Sequence, residues 1–187
     1  MKTLKEMMTE TLALIEELNP DSEVLTDDPD IATKIKYVIN QVMFELARMK
    51  KIPDYVEMPV NEGDTLWFED IAQVSGYNVY QLAMVGGVDH DIRAGGTIIK
   101  VLETGTAEIE YYRYPKQITD TTEDSYEFEL SEDVLAIMPY GVAGNLLKSD
   151  VSANYGQIYS SEYQAMLQKL DPRYAMTSIR FEGGVNA

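Results

Sequence analysis

The chain has no cysteine, one histidine, one tryptophan, and 15 Lys and Arg against 32 Asp and Glu in 187 residues. Without cysteine, disulfide staples and thiolate metal sites are excluded. The lone histidine, His90, lies in VDHDIR, where Asp89 and Asp91 fall on the opposite face of an extended segment. That setting reads as a surface turn, and its spacing supplies no further metal ligands. There is no nucleophile elbow, and none of the glycine pairs leads into a phosphate-binding helix. The acidic stretch from Asp120 to Asp133 lacks the glycine and the spacing of a calcium loop. No catalytic, cofactor-binding or metal-binding residue is assigned, and no cofactor is expected.

Long apolar runs are missing too, so no segment reads as a membrane span. The opening MKTLKEMMTETLALIEEL is interrupted by Glu6, Glu10, Glu16 and Glu17, unlike a signal peptide. The expectation is a soluble protein with no membrane partner. Scarce cations leave a net charge of −17. The excess is local: Pro53 to Asp133 holds eighteen acidic and four basic residues, 4 − 18 = −14, which leaves −3 for the rest. Such a region repels phosphate, because affinity for nucleic acid comes mainly from Lys and Arg displacing counterions. Solubility explains the charge. So does a surface that must not adhere to nucleic acid.

What is present starts with helices. Thr3 and Glu6 have capping-box spacing ahead of Leu4, Met8, Leu12 and Ile15, predicting a helix from Leu4 to Leu18 that stops at Asn19-Pro20. Asp28 and Pro29 suit the N-cap and first position of a second helix. Its apolar stripe runs from Ile31 to Met49, and Arg48, Lys50 and Lys51 favour its C-terminal dipole. From Pro53 to Pro115 the pattern changes to about five short β-like runs, YVEMPV, TLWFE, YNVYQLAMV, TIIKVLE and TAEIEYYRY, separated by glycine-containing turns. DIAQVSG suits a short helical turn among them, and Trp67 is expected to be a buried strand residue.

An acidic connector, KQITDTTEDSYEFE, reads as a solvated loop. Helical pattern then returns in SEDVLAIMPYGVAGNLLKSD, with a proline and two glycines in its middle. We expect two helical pieces, Ser131 to about Ile137 capped by Ser131, and Pro139 to about Lys148, with a kink between. Gly141 and Gly144, three apart, would leave one side bare for a close neighbour. A last helix is predicted from Val151 to Leu170. In it Tyr155, Tyr159 and Tyr163 recur every four residues, suiting either core packing with hydroxyls at the rim or a subunit interface. Residues 173–187 have no useful period and read as an extended arm.

Taken in order, DDPDIATKIKYVINQVMFELA, IEYYRYPKQIT, YEFELSEDVLAIMPYGVAGNLLKSD and YSSEYQAMLQKLDPRY resemble the head-to-tail connector (adaptor) proteins of tailed bacteriophages. The resemblance implies an α+β fold: a small antiparallel bundle of about four helices (residues 1–52 and 116–172), an inserted antiparallel β domain (53–115) and a C-terminal arm (173–187). It implies a homo-oligomeric ring, typically of twelve subunits, docked under the portal protein of the virion neck after synthesis in the host cytoplasm. A stopper or tail protein would follow, and DNA would pass without sequence-specific binding. By this analogy Arg173, Tyr174, Ile179, Arg180 and Phe181 would anchor the arm in the portal, while the enrichment of tyrosine at interfaces makes Tyr155, Tyr159 and Tyr163 the candidates for the subunit interface. The resemblance does not choose the charges that line the channel; Glu123, Asp124, Glu127 and Glu129 of the acidic connector are taken for that role. The alternatives are another neck component, such as a stopper or tail-completion protein, or a small carbohydrate-binding or enzymatic domain with Trp67 as its sugar platform.

Overall fold

The computed structural model describes residues 2–19, 25–149 and 153–170. Among them are five α-helices and two small antiparallel sheets. Helix α1 is Leu4–Leu14 and α2 is Pro29–Met49; strands β1 (Ile52–Val60) and β2 (Thr65–Trp67) follow, then α3 (Phe68–Ser75). Strands β3 (Val79–Gly86), β4 (His90–Arg93), β5 (Ile98–Val101) and β6 (Gly105–Arg113) come next, and α4 (Glu132–Leu146) and α5 (Ala153–Leu170) close the order.

Two of the three caps read from sequence, at Thr3 and Asp28, are present. Glu6 N–H donates to Thr3 Oγ1 while the Glu6 carboxylate takes the Thr3 N–H, and Asp28 Oδ1 accepts from Asp30 and Ile31. Helix α1, however, ends at Leu14 and not at Leu18. Glu16 has φ 61°, Glu17 N–H bonds to Leu12 O at 3.0 Å and Glu16 N–H to Ala13 O at 3.4 Å. This is the left-handed closure usually supplied by glycine. With glutamate in its place, the stop leaves no mark in the sequence.

The buried apolar side chains form two clusters. One joins α1, α2, α4 and α5 with Ile118, Phe128 and Leu130 of the connector. The other lies between the sheets, with Met58, Val85, Ile109 and Tyr111 from the larger and Leu66, Ile99 and Val101 from the smaller. The larger sheet has the order β1-β6-β3 and the smaller β2-β5-β4. Strand β4, HDIR, was not expected: at four residues with no buried side chain it carries no alternating pattern.

Helix α4 is the hub of the helical cluster, packing on α1, α2 and α5 and burying nine of its fifteen residues. A helix apolar all round is one that belongs inside. The expected break into two pieces does not occur, because α4 runs unbroken through Pro139, its eighth residue. Proline leaves the carbonyl four residues back without its helical donor. Here that carbonyl, Leu135 O, accepts from Lys2 Nζ at 3.2 Å. Ser131 does stand at the N-cap position, but its side chain makes no capping bond to a helix N–H.

The two glycines behave as expected. A Cβ on Gly144 would lie 2.6 Å from Ser160 Oγ and 3.0 Å from its backbone nitrogen; one on Gly141 would lie 2.9 Å from the Tyr163 ring and 3.0 Å from Val42. Gly156 of α5 meets the Leu147 backbone in the same way, at 3.1 Å. Bare patches on both helices thus bring α4 and α5 together.

Candidate assembly surfaces

The connector between β6 and α4 is pinned, which corrects its reading as a solvated loop. Leu4 N–H donates to Tyr126 O at 2.8 Å, Lys5 N–H to Asp124 O at 3.0 Å, and Phe128 N–H to Lys2 O at 3.1 Å. From the other side, buried Asn40 of α2 exchanges two bonds with the Ile118 backbone, at 2.7 and 2.8 Å. Lys36 Nζ adds bonds to the carbonyls of Thr119, Asp120 and Thr122. Asn40 sits in the apolar stripe of α2, and its partner lies 78 residues away.

Of the four acidic candidates, Glu123, Asp124 and Glu127 are exposed. Glu129 is not free. Its carboxylate pairs at 2.6 Å with Arg113 Nη1, whose Nε holds Asp54 at 2.7 Å. The Arg113 side chain is only 11% exposed and its guanidinium stacks 3.7 Å from the Tyr77 ring centroid. Burial opposes its charge, while Glu129 and Asp54 outweigh that and raise its pKa. Arg113 therefore ties β1 and β6 to the connector, and Glu129 is withdrawn from the charges that could face a channel.

The three tyrosines divide. Tyr163 is 4% exposed within the helical cluster, against Gly141, so it belongs to the core of its own chain and cannot meet a neighbour. Its hydroxyl makes no close hydrogen bond, and burial, with the Glu45 carboxylate as charged neighbour, pushes its pKa well up. Tyr159 is half-buried and donates to Leu14 O, a carbonyl in the last turn of α1. Tyr155 is 63% exposed, and with Ile158 forms the outward apolar face of α5. The proposed arm anchors Arg173, Tyr174, Ile179, Arg180 and Phe181 lie outside the described residues.

Two sheet faces were not anticipated. On the larger sheet Glu57 stands directly opposite Glu108, and Glu110 lies between Tyr55 and Met84. Directly opposed like charges destabilise a strand pair. Tyr55 hydroxyl donates to Glu57 at 2.7 Å, and that bond, then desolvation and the three carboxylates, push its pKa up to about 12. On the smaller sheet Trp67 faces Ile98, which faces Arg93, while Thr65, Lys100 and Asp91 form the next row. Trp67 is 49% exposed, not buried. In a three-residue strand only Leu66 turns inward, and the residues on either side of it must turn outward. Burial is therefore no argument against a contact role for Trp67. The alternation was visible in TLWFE; which face was inward was not.

Among the described residues, groups suited to chemistry do not converge. His90 Nδ1 lies 3.0 Å from Val88 O, and no group of three or more candidate metal ligands occurs among the described residues. A groove lined by Phe44, Arg48, Tyr114 and Asn78 among others is open to solvent; Arg48 Nε donates to the Tyr114 hydroxyl at its wall. Among the described residues no helix is long and apolar enough to cross a membrane. Comparisons with models of known protein families and with curated proteins find no match to this chain.

Proposed function

We propose that this protein is a structural subunit of the neck of a tailed phage: a ring, typically of twelve copies in the family it resembles, that docks under the portal, joins head to tail and leaves a channel for DNA. One observation carries the reading. Helices from both ends of the sequence share one apolar cluster, while the β strands between them build another, the order expected of a helical bundle (1–52 and 116–172) carrying an inserted β domain (53–115). Residues 173–187 would be the arm that reaches the portal. The exposed carboxylates Glu123, Asp124 and Glu127, on a segment held by main-chain bonds, suit a channel wall that repels phosphate.

The test is to mix the purified chain with the portal protein of the same phage and weigh the product. A portal-bound ring is the expected result; a chain that ignores the portal removes the reading. On assembled particles, reversing Glu123, Asp124 and Glu127 to Lys should slow genome passage. Unchanged ejection kinetics would take that segment off the channel wall.

A further inference from the structure

We propose that copies of this chain pack head-to-tail through their two outer sheet faces, with Trp67, Arg93 and Lys100 of one copy seated on Glu57, Glu108 and Glu110 of the next. These two faces of one molecule are complementary in charge. Between Pro53 and Asp133 there are four cations. Arg113 is engaged with Asp54 and Glu129, and Lys116 lies beside the Tyr77 ring. The other two, Arg93 and Lys100, share the outer face of the smaller sheet with the exposed Trp67. Asp91 shares it too and pairs with Arg93 at 3.0 Å, and Lys100 Nζ bonds to Gly63 O. Both contacts are exposed and readily exchanged for a better partner. The face remains a cationic island, net +1, in a region of net −14.

The larger sheet presents its complement. Among the described residues, none of Glu57, Glu108 and Glu110 is paired with a cation, although two of them stand directly opposed. A cationic neighbour would relieve that repulsion. Each face also holds exposed apolar area beside its charges: Trp67 at 49% on one, Tyr55 at 47% and Met84 at 53% on the other. Aromatic and methionine anchors beside a charged rim are the composition of a protein interface. The two sheets share one core, so their outer faces both point away from it, and a single copy cannot bring them together. The contact is therefore heterologous, and it closes into a ring where the rotation per copy allows. The proposal deepens the ring reading given above and rests on it for closure.

The experiment uses two charge variants of the full chain, E57K/E108K/E110K and R93E/K100E. The first has two cationic faces and the second two acidic ones. Light scattering at low salt and high protein concentration, with and without portal, should show the wild type associating and each variant alone associating at least tenfold more weakly. Their equimolar mixture should recover, because each variant then finds its complement in the other. That recovery also shows that both variants are folded. A mixture no larger than its components, with portal and without it, overturns the pairing, as does unimpaired association of either variant alone. If wild type still forms a ring on the portal in that case, the neck reading stands and only the pairing falls. If the mixture recovers but no form binds portal, the pairing stands and the neck reading falls.

Discussion

Lys2 Nζ donates to Leu135 O, the carbonyl that Pro139 leaves without its helical partner. A residue at one end of the sequence thus fills a gap made 137 positions later, and α4 passes through the core unbroken. The same ammonium pairs with Glu10 at 2.6 Å. The Glu10 side chain is half exposed, so that ion pair contributes little by itself.

This relationship can be measured with a double-mutant cycle. Pro139→Ala restores an N–H for Leu135 O and should raise the melting temperature, offset in part by a more flexible unfolded chain. Lys2→Met should cost about 1 kcal/mol in the wild type and less in the Pro139→Ala background. The Glu10 contribution cancels between backgrounds, so a coupling of at least ~0.5 kcal/mol is expected. Zero coupling in chemical unfolding would show that Leu135 O does not depend on Lys2.

The contact between α4 and α5 is set by glycine. Gly144→Ala places a methyl against Ser160, where the backbone nitrogen cannot move aside as a side chain could. It should destabilise by about 1–3 kcal/mol, and Ser160→Ala should rescue only part of the loss. Full rescue would mean that the hydroxyl alone sets the spacing.

Phenylalanine substitutions should separate two tyrosines of α5. Tyr163→Phe removes a buried hydroxyl that makes no close bond and should leave stability unchanged or slightly raised. Tyr159→Phe removes the donor to Leu14 O and should cost about 1 kcal/mol. Thermal melts of the pair decide the matter, and the reverse order would contradict the packing described.

Titration of Tyr55 reports on the acidic face. Its phenol should ionise near 12, and Glu57→Gln should bring it back toward the ordinary value, since the bond to Glu57 is the main cause. A phenol whose pKa is raised by folding favours the folded state below its unfolded pKa of about 10, and that contribution fades as pH climbs through 12. Carbon-13 shifts of labelled tyrosine rings follow it directly. An ordinary pKa in the wild type would remove the carboxylates from its surroundings.

What could be read from the sequence was what depends on neighbours in the chain. Thr3 with Glu6, and Asp28 with Pro29, mark helix starts through contacts spanning three residues, and both are found. Gly141 and Gly144 foretold a close approach, though not its partners in Ser160, Tyr163 and Val42. Much of what failed depends on distant residues, although the local cap at Ser131 failed as well. Pro139 suggests a break because Lys2 cannot be foreseen beside it, and the connector looks solvated because Asn40 and residues 2–5 cannot be placed against it. Trp67 shows a different limit: alternation separates two faces without saying which one meets the core. Glu16 shows a third, a left-handed turn with no glycine to announce it.

The central place of α4 also sets an order of events during synthesis. Helices α1 and α2 leave the ribosome more than eighty residues before the helix on which both pack. The strands from Ile52 to Arg113, whose cluster among the described residues draws on none beyond Tyr111, can collapse while the helical half still waits. The nascent chain therefore carries the apolar stripe of α2 exposed until Leu146 has emerged, and that interval is when a chaperone has most to bind.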